Sequence, residues 1–354
     1  MTTLDTYRLL GRSGLRVSPL ALGTMTFGTD WGWGSDKDES RRIFDIYLDR
    51  GGNFIDTASQ YTEGSAETML GDFAAGRREQ LVIATKYTMA RRPGDPNSGG
   101  NHRKSMVQSV EASLRRLNTD YIDLLYLHAW DFTTPVEEIL RAMDDLVRMG
   151  KVLYVGISDA PAWQVSRMQA IADLRGWAPL IALQIEYSLV QRTVERDLIP
   201  MAREMGLGVI PWSPLASGVL TGKYTRADLD AGEGTADPSG TRKNVAAANG
   251  ALTERALDIA DVVKQVAGEL GVKPSQVALA WTTLNPGVTA PIVGARTPAQ
   301  LEVNLGALDV RFTESQLAAL EEASRVELGF PHDFLASPMP RQVVFGGAEI
   351  DLTR

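Results

Sequence analysis

Gly51-Gly52-Asn53-Phe54-Ile55-Asp56 passes from two glycines through a short apolar run and stops at a carboxylate. Leu81-Val82-Ile83-Ala84-Thr85-Lys86 stops in the same way at an ammonium, and Tyr121-Ile122-Asp123-Leu124-Leu125-Tyr126-Leu127-His128 at an imidazole. Short apolar runs with β-branched members that end abruptly in a polar residue read as strands buried on both faces. In a (β/α)8 barrel the chemistry collects at the C-terminal ends of such strands, so residues far apart in sequence meet there. Asp56, Tyr61 just beyond it, Lys86 and His128 are therefore expected to form one site. A phenol beside an ammonium, a carboxylate and an imidazole is equipped to move a proton.

The same pattern recurs along the chain. Apolar runs end near Gly23, Asp56, Lys86, His128, Ser158, Gln184, Trp212 and Gly294, preceded by a hairpin pattern at 7–10 and 15–17 around Gly14. Helical spacing of apolar residues fills the intervals at 39–50, 66–75, 104–117, 136–149 and 162–174. Alternating strands and helices imply a parallel sheet, and eight such units can close. The expected fold is α/β: a (β/α)8 TIM barrel as one domain over 1–354, with an N-terminal β-hairpin within 1–19 and a C-terminal tail, 325–354, over the barrel. Segments 90–101, rich in Gly, Pro and Asn, and 224–250, polar and aperiodic, follow strand ends. Loops of that length are lids or disordered segments, and 224–250 reads as a mobile loop.

The chain has 354 residues, a formal charge of -8 and no cysteine. That charge argues against an extended nucleic-acid surface, where a basic face supplies most of the affinity. Without cysteine there is neither a disulfide, a thiolate nucleophile nor a thiolate metal site. No apolar stretch approaches the roughly 20 residues of a membrane span, and Met1-Thr2-Thr3-Leu4-Asp5 lacks a basic segment followed by an apolar one. The expected compartment is the cytoplasm, the expected partner a small molecule, and no membrane is expected to be involved. Oligomeric state does not follow from these features.

Along nearly its whole length the chain resembles the aldo-keto reductase family. The string from Gly51 to Asp56, continued by Thr57-Ala58-Ser59-Gln60-Tyr61 with Glu67 and Leu70-Gly71, is similar to the family's first signature. Thr85-Lys86, Leu127-His128, Gly156-Ile157-Ser158, Leu183-Gln184-Ile185-Glu186-Tyr187-Ser188, Trp212-Ser213-Pro214-Leu215 with Gly218, Gly222 and Lys223, and Gly294-Ala295-Arg296 follow in family order. The resemblance implies that Tyr61 is the proton donor, that Asp56 and Lys86 tune it, and that His128 orients the substrate carbonyl. Independently, a free phenol has a pKa of about 10. A neighbouring ammonium is expected to lower it, and a carboxylate to keep the ammonium charged. Tyr61 O–H and a His128 N–H would together hold the oxygen on which charge develops when a carbonyl accepts hydride.

Hydride must come from a cofactor, since no side chain supplies it. Neither G-x-G-x-x-G after a strand nor G-x-x-x-x-G-K-[ST] occurs, so a dinucleotide has to bind without those loops. The segment from Pro291 through Gly294, Arg296 and Thr297 to Pro298 reads as strand, tight turn and helix start, a phosphate-binding arrangement common beside the last barrel strands. Arg296 is suited to a 2'-phosphate, which favours NADPH/NADP+ over NADH. The resemblance places Gln300 and Asn304 beside the adenosine, Ser213, Leu215 and Lys223 along the pyrophosphate, Ser158 and Gln184 at the nicotinamide carboxamide, and Trp212 against its ring. Three positions depart from the family. Asp159 stands where Asn is usual, Thr297 where Ser is frequent, and Val303 where an acidic residue is frequent. Asp159 would bring a carboxylate near a ring that becomes positive on oxidation; alternatively it caps the helix beginning near Pro161.

The expected activity is NADPH-dependent reduction of an aldehyde or ketone to the alcohol. The resemblance also admits a redox-sensing NADP(H)-binding regulatory subunit, since some members of the family act in that way. Two further barrel chemistries are open to these residues: a glycosidase using two of Asp56, Asp159 and Glu186, and a Schiff-base aldolase using Lys86, which Asp56 would hold as the unreactive ammonium. Trp31, Trp33, Tyr87 and Trp130 are placed either to line an aromatic substrate pocket or to pack beneath the loops. Residues 329–335 resemble a segment of bacterial members, and the expected place for them is over the barrel or a neighbouring subunit.

Overall fold

Strand residues here alternate between two apolar environments, and that alternation builds the barrel. The computed structural model describes residues 2–230, 242–348 and 350. A hairpin of Arg8–Leu9 (β1) and Arg16–Val17 (β2) precedes eight parallel strands: Ala21–Gly23 (β3), Phe54–Asp56 (β4), Val82–Tyr87 (β5), Ile122–Leu127 (β6), Val152–Ser158 (β7), Leu180–Glu186 (β8), Gly208–Trp212 (β9) and Ile292–Gly294 (β10). Their order is β10-β3-β4-β5-β6-β7-β8-β9. Closure comes from β9 meeting the chain just before β10, where Val209 N–H donates to Gly287 O at 3.1 Å and Thr289 N–H to Val209 O at 2.8 Å. Parallel neighbours need long crossovers, and helices of the 3.6-residue pattern supply them; Lys37–Asp49, Ser65–Ala74, Arg103–Leu117, Val136–Arg148 and Ala162–Arg175 lie where the spacing places them.

Side chains two apart on a strand share a face. Phe54, Val82, Ala84, Leu124, Tyr126, Ala182 and Ile210 fill the interior, while Ile55, Ile83, Leu125, Leu127, Val155, Ile157, Leu183, Ile185 and Val209 pack outward with the helices. Extending the inward parity to the strand ends brings Asp56, Lys86, His128, Ser158, Gln184, Trp212 and Gly294 to the barrel mouth. Leu10 and Val17 of the hairpin join the interior cluster from the opposite end and seal it. The charge inside the third quoted run, Asp123, is satisfied near the base of β6 by Ile83 N–H at 3.0 Å and by Arg78 at 2.7 Å. Interior packing also explains Gly156, because a Cβ there would lie 2.6 Å from the Tyr126 ring.

The first of the two long segments is held in place. Residues 90–101 are tied down by Asn101, which is fully buried, accepts from Thr88 Oγ1 at 2.8 Å and donates to Ala129 O at 3.1 Å. Within 224–250, Ala227–Asp230 and Arg242–Ala248 are helical, and the mobile-loop expectation for 231–241 falls outside the described residues. The tail forms His332–Ala336 and Pro338–Phe345 and is fastened where Arg196 donates to Leu328 O at 3.0 Å. Among the described residues no helix is long and apolar enough to cross a membrane.

Candidate active site

Lys86 lies at the inward-facing end of β5 and is fully buried. An ammonium has three protons to donate, and here each finds an acceptor: Asp56 Oδ1 at 2.6 Å, Thr57 O at 2.8 Å and Tyr61 Oη at 3.1 Å. Asp56 spends its second oxygen on Gln184 Nε2–H at 2.8 Å. Burial alone would lower the Lys86 pKa, but Asp56 and Tyr61 together carry it above its ordinary value. The amine is therefore a committed ammonium, which removes the nucleophile a Schiff-base aldolase needs. With both oxygens of Asp56 accepting, it is likewise unsuited to be a glycosidase acid or nucleophile.

Tyr61 hangs on a strained turn. Residues 61–64 form a tight, kinked turn with non-helical dihedrals, in which Thr62, Glu63 and Gly64 all take positive φ, at 47°, 55° and 96°. A β-branched residue in that region is an outlier that the surroundings must hold. Thr62 Oγ1 does so by donating to Phe27 O at 2.7 Å while accepting from Ala66 N at 3.1 Å. Arg116 braces the same loop, donating to Ser59 O at 3.1 Å and to buried Glu67 at 2.7 Å, and Glu67 in turn accepts from Thr85 Oγ1 at 2.6 Å beside Lys86. The Tyr61 pKa departs from expectation. Burial raises it and outweighs the lowering by Lys86, so the group stays a protonated phenol above its ordinary range.

His128 stands across from Tyr61, the two rings edge to face with centroids 6.1 Å apart. Burial first and Lys86 second push its pKa down to about 3. The imidazole is neutral, its Nδ1 buried without a protein partner.

One cavity of about 740 Å³ collects the predicted residues. Asp56, Tyr61, His128, Ser158, Asp159, Gln184, Trp212, Ser213, Pro214, Leu215, Gly218, Lys223, Gly294, Arg296, Gln300 and Asn304 all line it, and Lys86 lies directly behind Tyr61 and Asp56. Its far end is the turn into helix Pro298–Leu305. There Thr297 caps the helix by accepting from Gln300 N at 3.3 Å, and Gln300 Oε1 accepts from Arg296 N–H at 2.9 Å. Between the ends, Ser213, Ala216, Ser217 and Gly218 take positive φ. A Cβ on Gly218 would lie 2.9 Å from Lys223 Nζ.

Asp159 does not cap a helix. The helix Ala162–Arg175 starts from Pro161 with no side-chain cap, and Asp159 Oδ1 instead accepts from Trp212 Nε1 at 3.0 Å. Of the four aromatics, Trp31 lines the cavity and packs on Trp33 and Tyr61, whereas Tyr87 and Trp130 belong to the outer core. Val245 and Asn249 from the 224–250 segment and Ser275 and Leu279 from helix Pro274–Thr282 also form cavity wall. The signals for these were present but unread: an alanine-rich helical run at 245–248, and Pro274 at a helix start.

The family model for the aldo/keto reductase family matches residues 19–325. Among curated proteins, a norsolorinic acid reductase of Aspergillus flavus is 38% identical over 94% of this chain and 85% of its own length. An aryl-alcohol dehydrogenase [NADP(+)] of Phanerodontia chrysosporium is 36% identical over 94% of this chain and 89% of its own. A norsolorinic acid reductase B of Dothistroma septosporum is 34% identical over 96% and 86%. The barrel, the Lys86-centred cluster at its mouth and these matches agree: the chain belongs to the aldo/keto reductase family.

Proposed function

We propose that this protein reduces an aldehyde or ketone to the alcohol with NADPH, Tyr61 giving the proton. The observation that carries the reading is the single ammonium of Lys86 bonded at once to Asp56, Thr57 O and Tyr61 Oη, opposite a neutral imidazole. Two donors, the phenol and an imidazole N–H, face the space where a carbonyl oxygen gains charge, and preorganised donors in a protected site stabilise that charge strongly. Tyr61 Oη then passes its proton to the oxygen, and Lys86 stabilises the phenolate left behind.

The cavity suits a nicotinamide dinucleotide phosphate. Ser158 Oγ is buried against it without a protein partner, an orphan that an amide would satisfy. Trp212 offers an aromatic face, and Arg296 a planar guanidinium at the helix start, suited to a 2'-phosphate. When bound, the cofactor supplies the hydride. Ser158, Gln184 and Trp212 would hold its redox end, Ser213, Pro214, Leu215, Gly218 and Lys223 its middle, and Gly294, Arg296, Gln300 and Asn304 its adenosine end. An aryl aldehyde is the substrate class best supported, because Trp31 packs edge to face with Tyr61 in the cavity, ring centroids 6.4 Å apart, and one relative bears the name aryl-alcohol dehydrogenase.

Purified protein mixed with NADPH and matched aryl and alkyl aldehydes tests the proposal by loss of reduced cofactor. Turnover with a preference for aryl aldehydes is expected. Binding of NADPH without turnover would favour a redox-sensing regulatory subunit, and absence of binding would overturn both.

A further inference from the structure

Asp159 lies at the redox end of the cavity without a part in the proton transfer. The carbonyl oxygen sits by Tyr61 and His128, so the carbon that accepts hydride, one bond away, fixes where the nicotinamide ring must lie. Asp159 follows β7 at that end. Its N–H donates to Gln184 O and its carbonyl accepts from Trp130 N–H, each at 3.2 Å. These bonds hold the backbone at φ 44°, a conformation that Asp tolerates better than most residues. The carboxylate, open to the cavity, is steered by the 3.0 Å bond from Trp212 Nε1. One indole N–H does not neutralise it, and Lys86 is already committed to other acceptors. Burial raises the Asp159 pKa while the Trp212 bond opposes that rise, and the ionised carboxylate faces the part of the cofactor whose charge changes in the reaction: neutral when reduced, positive when oxidised.

Resting on the reading above, we propose that Asp159, held by Trp212, sets the redox preference of the site by favouring NADP+ over NADPH. Stabilising the oxidised cofactor in the site favours hydride transfer from bound NADPH to the carbonyl more than a neutral side chain at that position would, and it holds NADP+ more tightly afterwards. Asp159→Asn keeps a carbonyl acceptor for Trp212 and removes only the charge. Titrating each cofactor into wild type and Asp159→Asn, followed by tryptophan fluorescence and by calorimetry, gives the ratio of the two dissociation constants. Because the carboxylate is solvent-accessible, the ratio should move toward NADPH by about two- to fivefold at low salt, the range of screened charge pairs. That movement should shrink in high salt. If both cofactors bind wild type and the low-salt ratio is the same in Asp159→Asn, Asp159 does not set the preference, although the reductase reading stands. If neither cofactor binds wild type, the reductase reading and this inference fail together.

Discussion

Tyr61 sits between two opposing influences, and their balance predicts how the protein responds to pH. Burial raises its pKa, Lys86 lowers it, and burial prevails. The phenol is thus protonated through the neutral range, so carbonyl reduction should stay flat there and decline only beyond the ordinary phenol value of about 10. Tyr61→Phe should cut reduction by about 10²–10⁴-fold, the usual worth of general acid catalysis, while NADPH affinity measured by fluorescence titration stays almost unchanged. Near-normal turnover in that variant would assign the proton to another group. Arg296 allows an independent test at the opposite end of the cavity. A charge-assisted hydrogen bond is worth about 1.5–3 kcal/mol, so Arg296→Ala should weaken NADPH roughly ten- to a hundredfold and leave NADH little affected. Equal losses for the two cofactors would place Arg296 away from the 2'-phosphate.

Elements position these residues, and their legibility in sequence followed from their environments. Each barrel strand is buried on both faces, so Phe54–Asp56 and Val82–Tyr87 read as apolar runs with sharp polar ends. The inward parity that carries Lys86 and His128 to one mouth was legible for the same reason. Ser275 and Leu279 were not, because Pro274–Thr282 is buried nearly throughout and shows no polar stripe to orient it. The direction of the Tyr61 shift was also hidden, since composition reveals a neighbouring ammonium but not the depth of burial. Helix contacts near the site can be tested with glycine. Gly71 lies in Ser65–Ala74, the helix that follows the Tyr61 turn, and a Cβ there would come 2.5 Å from Arg116 O and 2.8 Å from Leu117 O. Backbone atoms yield little, so Gly71→Ala should destabilise by about 1–3 kcal/mol. By contrast, Gly268 in helix Glu254–Leu270 has open space around its missing Cβ and no positive φ. Gly268→Ala should stabilise by about 0.4–1 kcal/mol. Urea midpoints of the two variants moving in the same direction would refute this account of the helix packing.

For the whole molecule, the barrel that concentrates the site also lowers stability there. Burying the Lys86–Asp56 pair, the Ser158 hydroxyl and the His128 imidazole opposes folding locally, and the apolar interior and outer core must outweigh it. His128 makes this conflict visible through pH. Its folded pKa of about 3 lies below the ordinary value of 6.5, mainly because of burial and secondarily because of Lys86. Between those values the unfolded chain binds a proton that the folded chain rejects, so stability rises with pH across the window. The contribution is complete above about pH 6.5 and is lost progressively as pH falls toward 3. Linkage limits the loss between pH 7 and pH 5 to about 2 kcal/mol, less because the ring borders an open cavity. His128→Gln cannot titrate, so wild type should lose more stability than the variant over that interval, read as the difference between urea midpoints at the two pH values. Parallel losses in the two proteins would show that the imidazole is already protonated in the folded state at pH 5, and would remove the neutral donor on which the two-donor carbonyl site depends.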